Sequence, residues 1–159
     1  MKLIGKCFYH KREAQGKCIE MDEQLNAIAG YSNGNLVCYS SKNMNSVWEI
    51  NGHKGAVSTI FCGESYFLSG GEDCVVRIWS NGSRQLINQI SVHQKTVSKV
   101  LGDFKYPHII HSCSIDRSIH AYDLKSDKKL SFRQAVGGSI NSMSQSSSSG
   151  ELGNSYIIQ

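Results

Sequence analysis

Two segments of this chain repeat one another. Residues 52–80 read GHKGAVSTIFCGESYFLSGGEDCVVRIWS, and residues 92–123 read VHQKTVSKVLGDFKYPHIIHSCSIDRSIHAYD. The histidine near the start of each copy recurs after 40 residues and the aspartate after 43, so the second copy carries three extra residues, which we place between its first and second strands. A fixed period of this length predicts a chain built from copies of one supersecondary unit.

Each copy has the pattern of short strands separated by turns. In the first copy, residues 56–61, 66–69 and 75–79 are apolar or alternating stretches without helical periodicity. The Asn-Gly pair at 81–82 is typical of a two-residue hairpin turn, since both positions tolerate a positive φ. A fourth strand is expected at 85–90. Four antiparallel strands in about forty residues form one blade of a β-propeller.

Weaker copies flank these two. Upstream, residues 28–39 match the first copy, with Asn33 in the place of Asp73, and His10 is a candidate for the missing histidine. Downstream, a further copy begins at 137–143 and reaches 156–159 without its third and fourth strands. We therefore divide the chain into a degenerate first blade (1–50), two full blades (51–91 and 92–133) and an incomplete fourth blade with a Ser-rich loop (134–159).

The residues Gly52-His53, Ser69, Asp73 and Trp79-Ser80 allow a comparison with a known family. With them the sequence resembles the WD40-repeat family over about residues 28–145. The resemblance implies an all-β fold of three to four WD40-type blades. Because six or seven blades are typical of that family, the chain is expected to form part of a larger or partner-completed propeller, with residues 3–8 able to supply one strand.

The resemblance also implies a hydrogen-bonded network inside each full blade. Such a network is chemically reasonable because a buried carboxylate needs donors, which an imidazole, a hydroxyl and an indole can supply. Ser80 departs from the family's usual Asp and Tyr122 from its Trp, and the first copy, with Ala29 and Asn33, cannot form the full set. By matching position, the two networks are His53, Ser69, Asp73 and Trp79 in one blade, and His93, Ser112, Asp116 and Tyr122 in the next.

Loops between the strands are the expected binding surface, because propellers carry function on loops held by a rigid framework. Lys54, Lys95 and Arg117 give these loops positive charge, and Glu72 adds a local negative one. We expect an acidic protein surface or peptide as the partner. The net charge of +4 is spread along the chain rather than clustered, so nucleic acid is not the expected partner.

Several kinds of chemistry are disfavoured by the sequence. Ser69, His53 and Asp73 have the chemistry of a hydrolase triad, but Ser69 falls inside a strand and the trio recurs in the next blade, which favours a structural role. His108, His111, His120 and Cys113 are metal-ligand types, but strand alternation does not bring them together. No phosphate-binding loop occurs. We therefore predict no enzymatic activity, no cofactor, no metal and no small-molecule substrate.

The expected function is that of a protein–protein interaction scaffold in a multi-subunit complex. Residues 111–124 and 142–145 are similar to phrases in WD-repeat proteins of the axoneme in cilia and flagella, which implies axonemal or microtubule-associated partners. A nucleic-acid-associated subunit of an RNA or chromatin complex is the alternative. The six cysteines form no C-x-x-C pair, and no secretory signal or membrane span is evident, so a cytoplasmic location at the cytoskeleton or axoneme is expected.

Overall fold

The computed structural model describes residues 14–103 and 105–145. This part of the chain is built from β-strands joined by turns, as the alternating pattern predicts. The strands are β1 (Gly16–Met21), β2 (Ala27–Tyr31), β3 (Asn35–Tyr39), β4 (Ser46–Asn51), β5 (Val57–Cys62), β6 (Tyr66–Gly71), β7 (Val76–Ser80), β8 (Leu86–Ile90), β9 (Val97–Gly102), β10 (Ile109–Ser114), β11 (Ser118–Asp123) and β12 (Lys128–Gln134).

The strands form three antiparallel four-stranded sheets in chain order, β1–β4, β5–β8 and β9–β12. The first strands of the sheets lie side by side, β1 against β5 and β5 against β9, so they form the inner edge of an arc. The last strands, β4, β8 and β12, form the outer edge and are largely exposed. This is the arrangement of successive propeller blades.

The hydrophobic core lies between neighbouring sheets. Between the first and second sheets, Ile28 and Leu36 pack with Val57 and Phe67. Between the second and third sheets, a second cluster is built around Leu68, Ile78, Val97 and Val100. Because each sheet is apolar on both faces, a blade is stabilised mainly by its neighbours, and burying one such side chain contributes about 1.5–3 kcal/mol.

Antiparallel connection places the loops at two opposite ends of the sheets. One end carries the β2–β3, β6–β7 and β10–β11 turns together with the β4–β5 and β8–β9 connections, and we call it the loop face. The other end, the rear face, carries the remaining connections. Lys54, Glu72, Lys95 and Arg117 all lie on the loop face.

The turn at Asn81-Gly82 differs from the two-residue hairpin predicted from the sequence. Strand β8 begins only at Leu86, and the residue with positive φ is Arg84 (62°). The Ser80 amide donates to the Gln85 carbonyl and closes a longer loop. The Asn81 side chain is used elsewhere, because its Nδ2 donates to the carbonyls of Gly63 and Glu64, 2.7 and 2.9 Å away.

The three extra residues of the second copy are confirmed as an insertion between the first and second strands of its sheet. The β9–β10 connection is three residues longer than the β5–β6 connection. Its Asp103 is 5% exposed and accepts hydrogen bonds from the amides of Lys105 and Tyr106, and from Gln145. A buried carboxylate therefore holds the described residues of this connection.

Beyond β12 the chain packs back onto the third sheet. Ile140 and Met143 are buried, and they contact Cys113 and Ile119. The predicted strands at 3–8 and 156–159, the candidate His10 and the Ser-rich loop at 146–149 lie outside the described residues. The division of the chain into four units therefore remains a prediction, and the structure supplies three sheets and the start of a further packed segment.

Within the described residues, no helix has the length and apolar character needed to cross a bilayer.

Candidate functional site

The second sheet holds a chain of hydrogen bonds that joins the loop face to the strand interior. His53, in the β4–β5 connection, lies with Nδ1 2.8 Å from Asp73 Oδ1 and Nε2 2.7 Å from Ser69 Oγ. The Trp79 indole donates to the same Ser69 Oγ over 2.9 Å. The network thus ties the loop before β5 to strands β6 and β7.

One bond of this network has a fixed direction. The Trp79 indole N–H can only donate, so Ser69 Oγ accepts from it. His53 Nδ1 lies within hydrogen-bonding distance of two groups, Asp73 Oδ1 at 2.8 Å and Arg77 Nη1 at 2.6 Å. Burial lowers the pKa of His53, although Asp73 opposes the shift, so the imidazole is neutral at pH 7.

Arg77 belongs to this network, and the sequence comparison missed it. Its Nη1 donates to Asp73 Oδ2 over 2.7 Å, and the Lys54 amide donates to the same oxygen. Burial alone would raise the pKa of Asp73, but the hydrogen bonds from His53, Arg77 and the Lys54 amide outweigh it and lower the pKa to about 2. An arginine inside the apolar run of β7 was a usable signal, because arginine is rarely found there without a carboxylate partner.

The third sheet makes a related network with a different set of residues. His93 Nε2 lies 2.8 Å from Ser112 Oγ, as its counterpart does in the second sheet. His93 Nδ1, however, lies 2.8 Å from Ser118 Oγ, and Ser118 donates onward to Asp116 Oδ1 over 2.5 Å. Ser118, which sequence comparison missed, therefore bridges the imidazole and the carboxylate, and His93 Nδ1 also lies 3.5 Å from Asp116 Oδ2.

The prediction that Tyr122 closes this second network is wrong. Its hydroxyl donates to Asp127 Oδ1 over 2.6 Å, at the turn between β11 and β12. An indole N–H lies on the side of the ring and can reach back along the sheet to a serine. A phenol has its only polar group at the tip of the ring, so Tyr122 reaches the turn beyond its own strand instead.

The first sheet contains no such histidine network among its described residues. Ala29 and Asn33 stand at the positions of Ser69 and Asp73, and the buried hydroxyls of Tyr31 and Tyr39 bond one another over 2.7 Å. The sheet is connected to the loop face by another contact. The Gly34 carbonyl accepts from the amides of Gly52 and His53, both over 3.0 Å, so its turn lies directly on the loop that carries the histidine.

The geometry of Ser69, His53 and Asp73 matches the order of a hydrolase triad, but Ser69 cannot meet a substrate. Its side chain is fully buried, and its oxygen already accepts from the indole of Trp79. A serine nucleophile must lie open to a cleft beside oxyanion donors. The three residues act as a brace between loop and sheet.

The histidines weighed as metal ligands have separate surroundings. His111 Nε2 lies 3.3 Å from Asp103 Oδ2, whereas the His120 ring packs edge-on against His93, with the ring centroids 4.8 Å apart, and at a tilt against Phe132. Across residues 14–103 and 105–145, no group of three or more His, Cys, Asp or Glu side chains is arranged to hold a metal ion.

The four charged residues predicted to face a partner are all exposed, and they lie at two separate places on the loop face. Lys54 and Glu72 lie where the β4–β5 connection meets the β6–β7 turn, and Glu72 Oε2 accepts from the Ala56 amide. Lys95 and Arg117 lie where the β8–β9 connection meets the β10–β11 turn, and both line a cleft of about 370 Å³ there. The cleft does not include the other pair.

Comparisons with known proteins agree with this architecture. Residues 44–80 match the family model described as WD domain, G-beta repeat. The target of rapamycin complex subunit LST8 of Bos taurus is 27% identical over 131 residues, and that of Mus musculus is 26% identical. These alignments cover 73% of this chain and 37% of each relative, so the chain spans little more than a third of their length.

Two solved structures share the fold. The structure of U3-55K and the crystal structure of RRP9 WD40 repeats each superpose with a TM-score of 0.74 at 16% identity. Each superposition covers 80% of this chain and, respectively, 42% and 41% of the solved chain. Residues 44–80 thus match a WD40 repeat, and the three described sheets have the fold of WD40 propeller blades.

Proposed function

We propose that this chain is a non-catalytic scaffold that binds other proteins through its loop face. The observation that carries this proposal is the contrast between the two layers of that face. Exposed charged side chains lie on top, and directly beneath them buried histidines bond the loops to the sheets. Because its loops are already held in place, this surface loses little conformational entropy when it binds a partner.

Proteins that carry WD40 repeats commonly act as interaction scaffolds, and function in such folds is placed on loops. The polar side chains with catalytic chemistry in the second sheet are committed to the brace around His53. The exposed charged side chains of the loop face are Lys54, Lys95, Arg117 and Glu72, which suit recognition of a charged protein surface.

Cross-linking of native complexes purified through this chain tests which face binds partner proteins. Lys54 and Lys95 lie on the loop face, whereas Lys42 and Lys125 lie on the rear face in the β3–β4 and β11–β12 turns; all four are exposed. We expect an amine-reactive cross-linker to join partner proteins to the first pair. Cross-links formed mainly from Lys42 and Lys125 would remove the loop face from the proposal.

The finer assignment concerns which assembly the scaffold serves. The phrases at 111–124 and 142–145 support a cytoplasmic place in the axoneme, with axonemal or microtubule-associated partners. The similarity to a target of rapamycin complex subunit favours a target of rapamycin complex instead. Affinity purification from ciliated and non-ciliated cells separates the two, because an axonemal subunit recovers its partners from ciliated cells alone.

A nucleic-acid-associated role is the second candidate, and the outer strand β12 favours it. Lys128, Lys129 and Arg133 are exposed along this strand, which contains no acidic residue. Retention on an immobilised polyanion that falls steeply with salt would support this role, since each phosphate contact releases counterions. A shallow salt dependence would leave the protein scaffold as the function.

A further inference from the structure

A cleft with a mainly polar lining lies at the third sheet. It measures about 370 Å³ and opens on the loop face between the sheet and the segment that follows β12. This size is near the lower end for ligand pockets and suits one or two side chains. Its lining includes Gln94, Lys95, Asp116, Arg117, Gly137 and Gly138.

Arg117 occupies a backbone position that disfavours any side chain. Its φ is 73°, in the left-handed region, and the equivalent turn positions in the other sheets are Gly34 (86°) and Cys74 (64°). Glycine adopts this conformation without steric cost, whereas an arginine adopts it at the cost of a close approach between its Cβ and the backbone. The positive φ therefore belongs to the repeated turn, and the fold does not require arginine at position 117.

The two cations of the cleft have no carboxylate partner among the described residues. The nearby Asp116 has its oxygens directed at internal donors, since Oδ2 accepts from the Gln94 amide and Oδ1 from the amide and hydroxyl of Ser118. These bonds hold Asp116 within the turn. Lys95 and Arg117 are left to attract an external anion.

The far wall of the cleft leaves its backbone open. At Gly137 and Gly138, none of the described atoms lies within 4 Å of the position that a Cβ would take. A ligand can therefore approach the main chain closely at this wall. Gln94 and Gln134 add neutral polar groups to the lining.

We infer that this cleft binds the carboxylate side chain of an acidic peptide segment, held by Arg117 and Lys95. The planar guanidinium of an arginine can bind both oxygens of a carboxylate, and a lysine adds a positive charge without a fixed hydrogen-bonding geometry. Two cations beside one carboxylate give too short a positive track for a nucleic-acid backbone. The inference rests on the proposed function and names the chemistry of its partner.

Binding to three fluorescent probes tests the inference with the full chain at 50 and 150 mM salt. The probes are a twelve-residue peptide of alternating Glu and Gly, the same peptide with Gln for Glu, and a twelve-nucleotide oligouridine. We expect the Glu peptide to bind at least tenfold more tightly than the other two. Equal binding of the Gln peptide, or tighter binding of the oligouridine, would overturn the inference.

Arg117→Gly is the decisive variant because strain and binding predict opposite effects. We expect it to keep or raise the melting temperature while weakening the Glu peptide at least tenfold. Cys74→Gly is the matched control, since it changes the same turn position in the second sheet, and it should leave peptide affinity unchanged. An Arg117→Gly variant with unaltered affinity would refute the site. If Arg117→Gly kept its peptide affinity while partner cross-links still formed at Lys54, the acidic-peptide inference would fail and the scaffold proposal would stand.

Discussion

At the scale of single residues, Ser69 bonds more side chains in the second sheet than its counterpart Ser112 bonds in the third. Ser69 Oγ serves both the imidazole of His53 and the indole of Trp79, and all three side chains are buried. In the third sheet Ser112 serves His93, while Tyr122 bonds elsewhere. The same position in two copies of one repeat therefore has two different hydrogen-bonding loads.

Replacing each serine by alanine should reveal this difference. We expect Ser69→Ala to lower the free energy of unfolding by about 2–3 kcal/mol, because it leaves two buried polar groups unsatisfied. Ser112→Ala leaves one, so about 1–1.5 kcal/mol is expected. Urea denaturation of both variants measures the difference. Equal losses would mean that the indole bond contributes nothing to stability.

His120 makes the protein sensitive to moderate acid. Its ring is buried against His93, and its Nδ1 has no hydrogen-bond partner among the described residues. Burial lowers its pKa to about 4, and the charges of His93 and Lys129 act in the same direction. An unfolded histidine has a pKa near 6.5, so the unfolded state takes up the proton first as the pH falls.

We therefore expect stability to fall by about 2 kcal/mol at His120 between pH 6.5 and 4. His120→Phe keeps an aromatic ring in the stack and removes the titration, so its unfolding free energy should change less across that window. Unfolding in urea at pH 7, 5.5 and 4.5 checks this. Below pH 4 both proteins should lose stability alike, because the pKa of Asp73 and of Asp116 lies at about 2 and both carboxylates protonate there.

At the scale of strands and turns, the β2–β3 turn joins the first sheet to the second. Gly34 has a φ of 86°, and a Cβ on it would lie 2.0 Å from the His53 carbonyl oxygen. Its own carbonyl meanwhile accepts two amides from the loop that carries His53. The turn can move away from a new side chain only by breaking this contact between sheets.

Gly34→Ala should therefore destabilise the protein by about 2–4 kcal/mol, from backbone strain and the lost contact together. Gly82→Ala is a suitable control, because Gly82 is exposed in a rear-face turn and its nearest neighbour would be 3.9 Å away. Thermal unfolding compares the two. A Gly34→Ala protein as stable as the control would show that the turn moves freely.

The repeat predicted the elements well and their side-chain details less well. Anchors such as His53 and Trp79 fix the period, and alternation locates strands, because both follow from which face of a sheet is buried. Arg77, Ser118 and the bond of Tyr122 were missed, since each depends on which side chains meet across neighbouring strands. A repeat comparison records what occupies a position, and says nothing of where its polar atom lies.

At the scale of the whole molecule, one contact recurs from blade to blade. Ser58 on β5 donates to the carbonyl of Val97, at the start of β9. Ser98 on β9 donates to the carbonyl of Ile140 over 2.5 Å. Ile140 thus takes the place that Val97 takes one blade earlier. The recurrence supports residues 140–145 as the first strand of a further blade in a larger ring.

This reading requires the segment to be part of the packing of the third sheet. Ile140 is fully buried against Cys113 and Ile119, whereas Val136, four residues earlier, is fully exposed. Ile140→Asp would bury an unpaired carboxylate beside the sheet, so we expect a loss of at least about 3 kcal/mol in unfolding free energy. Val136→Asp adds the same charge to the same segment in solvent and should change stability by less than about 0.5 kcal/mol.

Hydrogen exchange locates the effect within the molecule. If residues 140–145 form the inner strand of the next blade, Ile140→Asp should increase exchange first in β9, β10 and β11, which Ile140 contacts, and leave β2 and β3 protected. Because each blade contacts only its neighbours, the disturbance should weaken with distance along the arc. Uniform loss of protection across all three sheets would instead mean that the blades unfold as one unit and that the segment holds no special place.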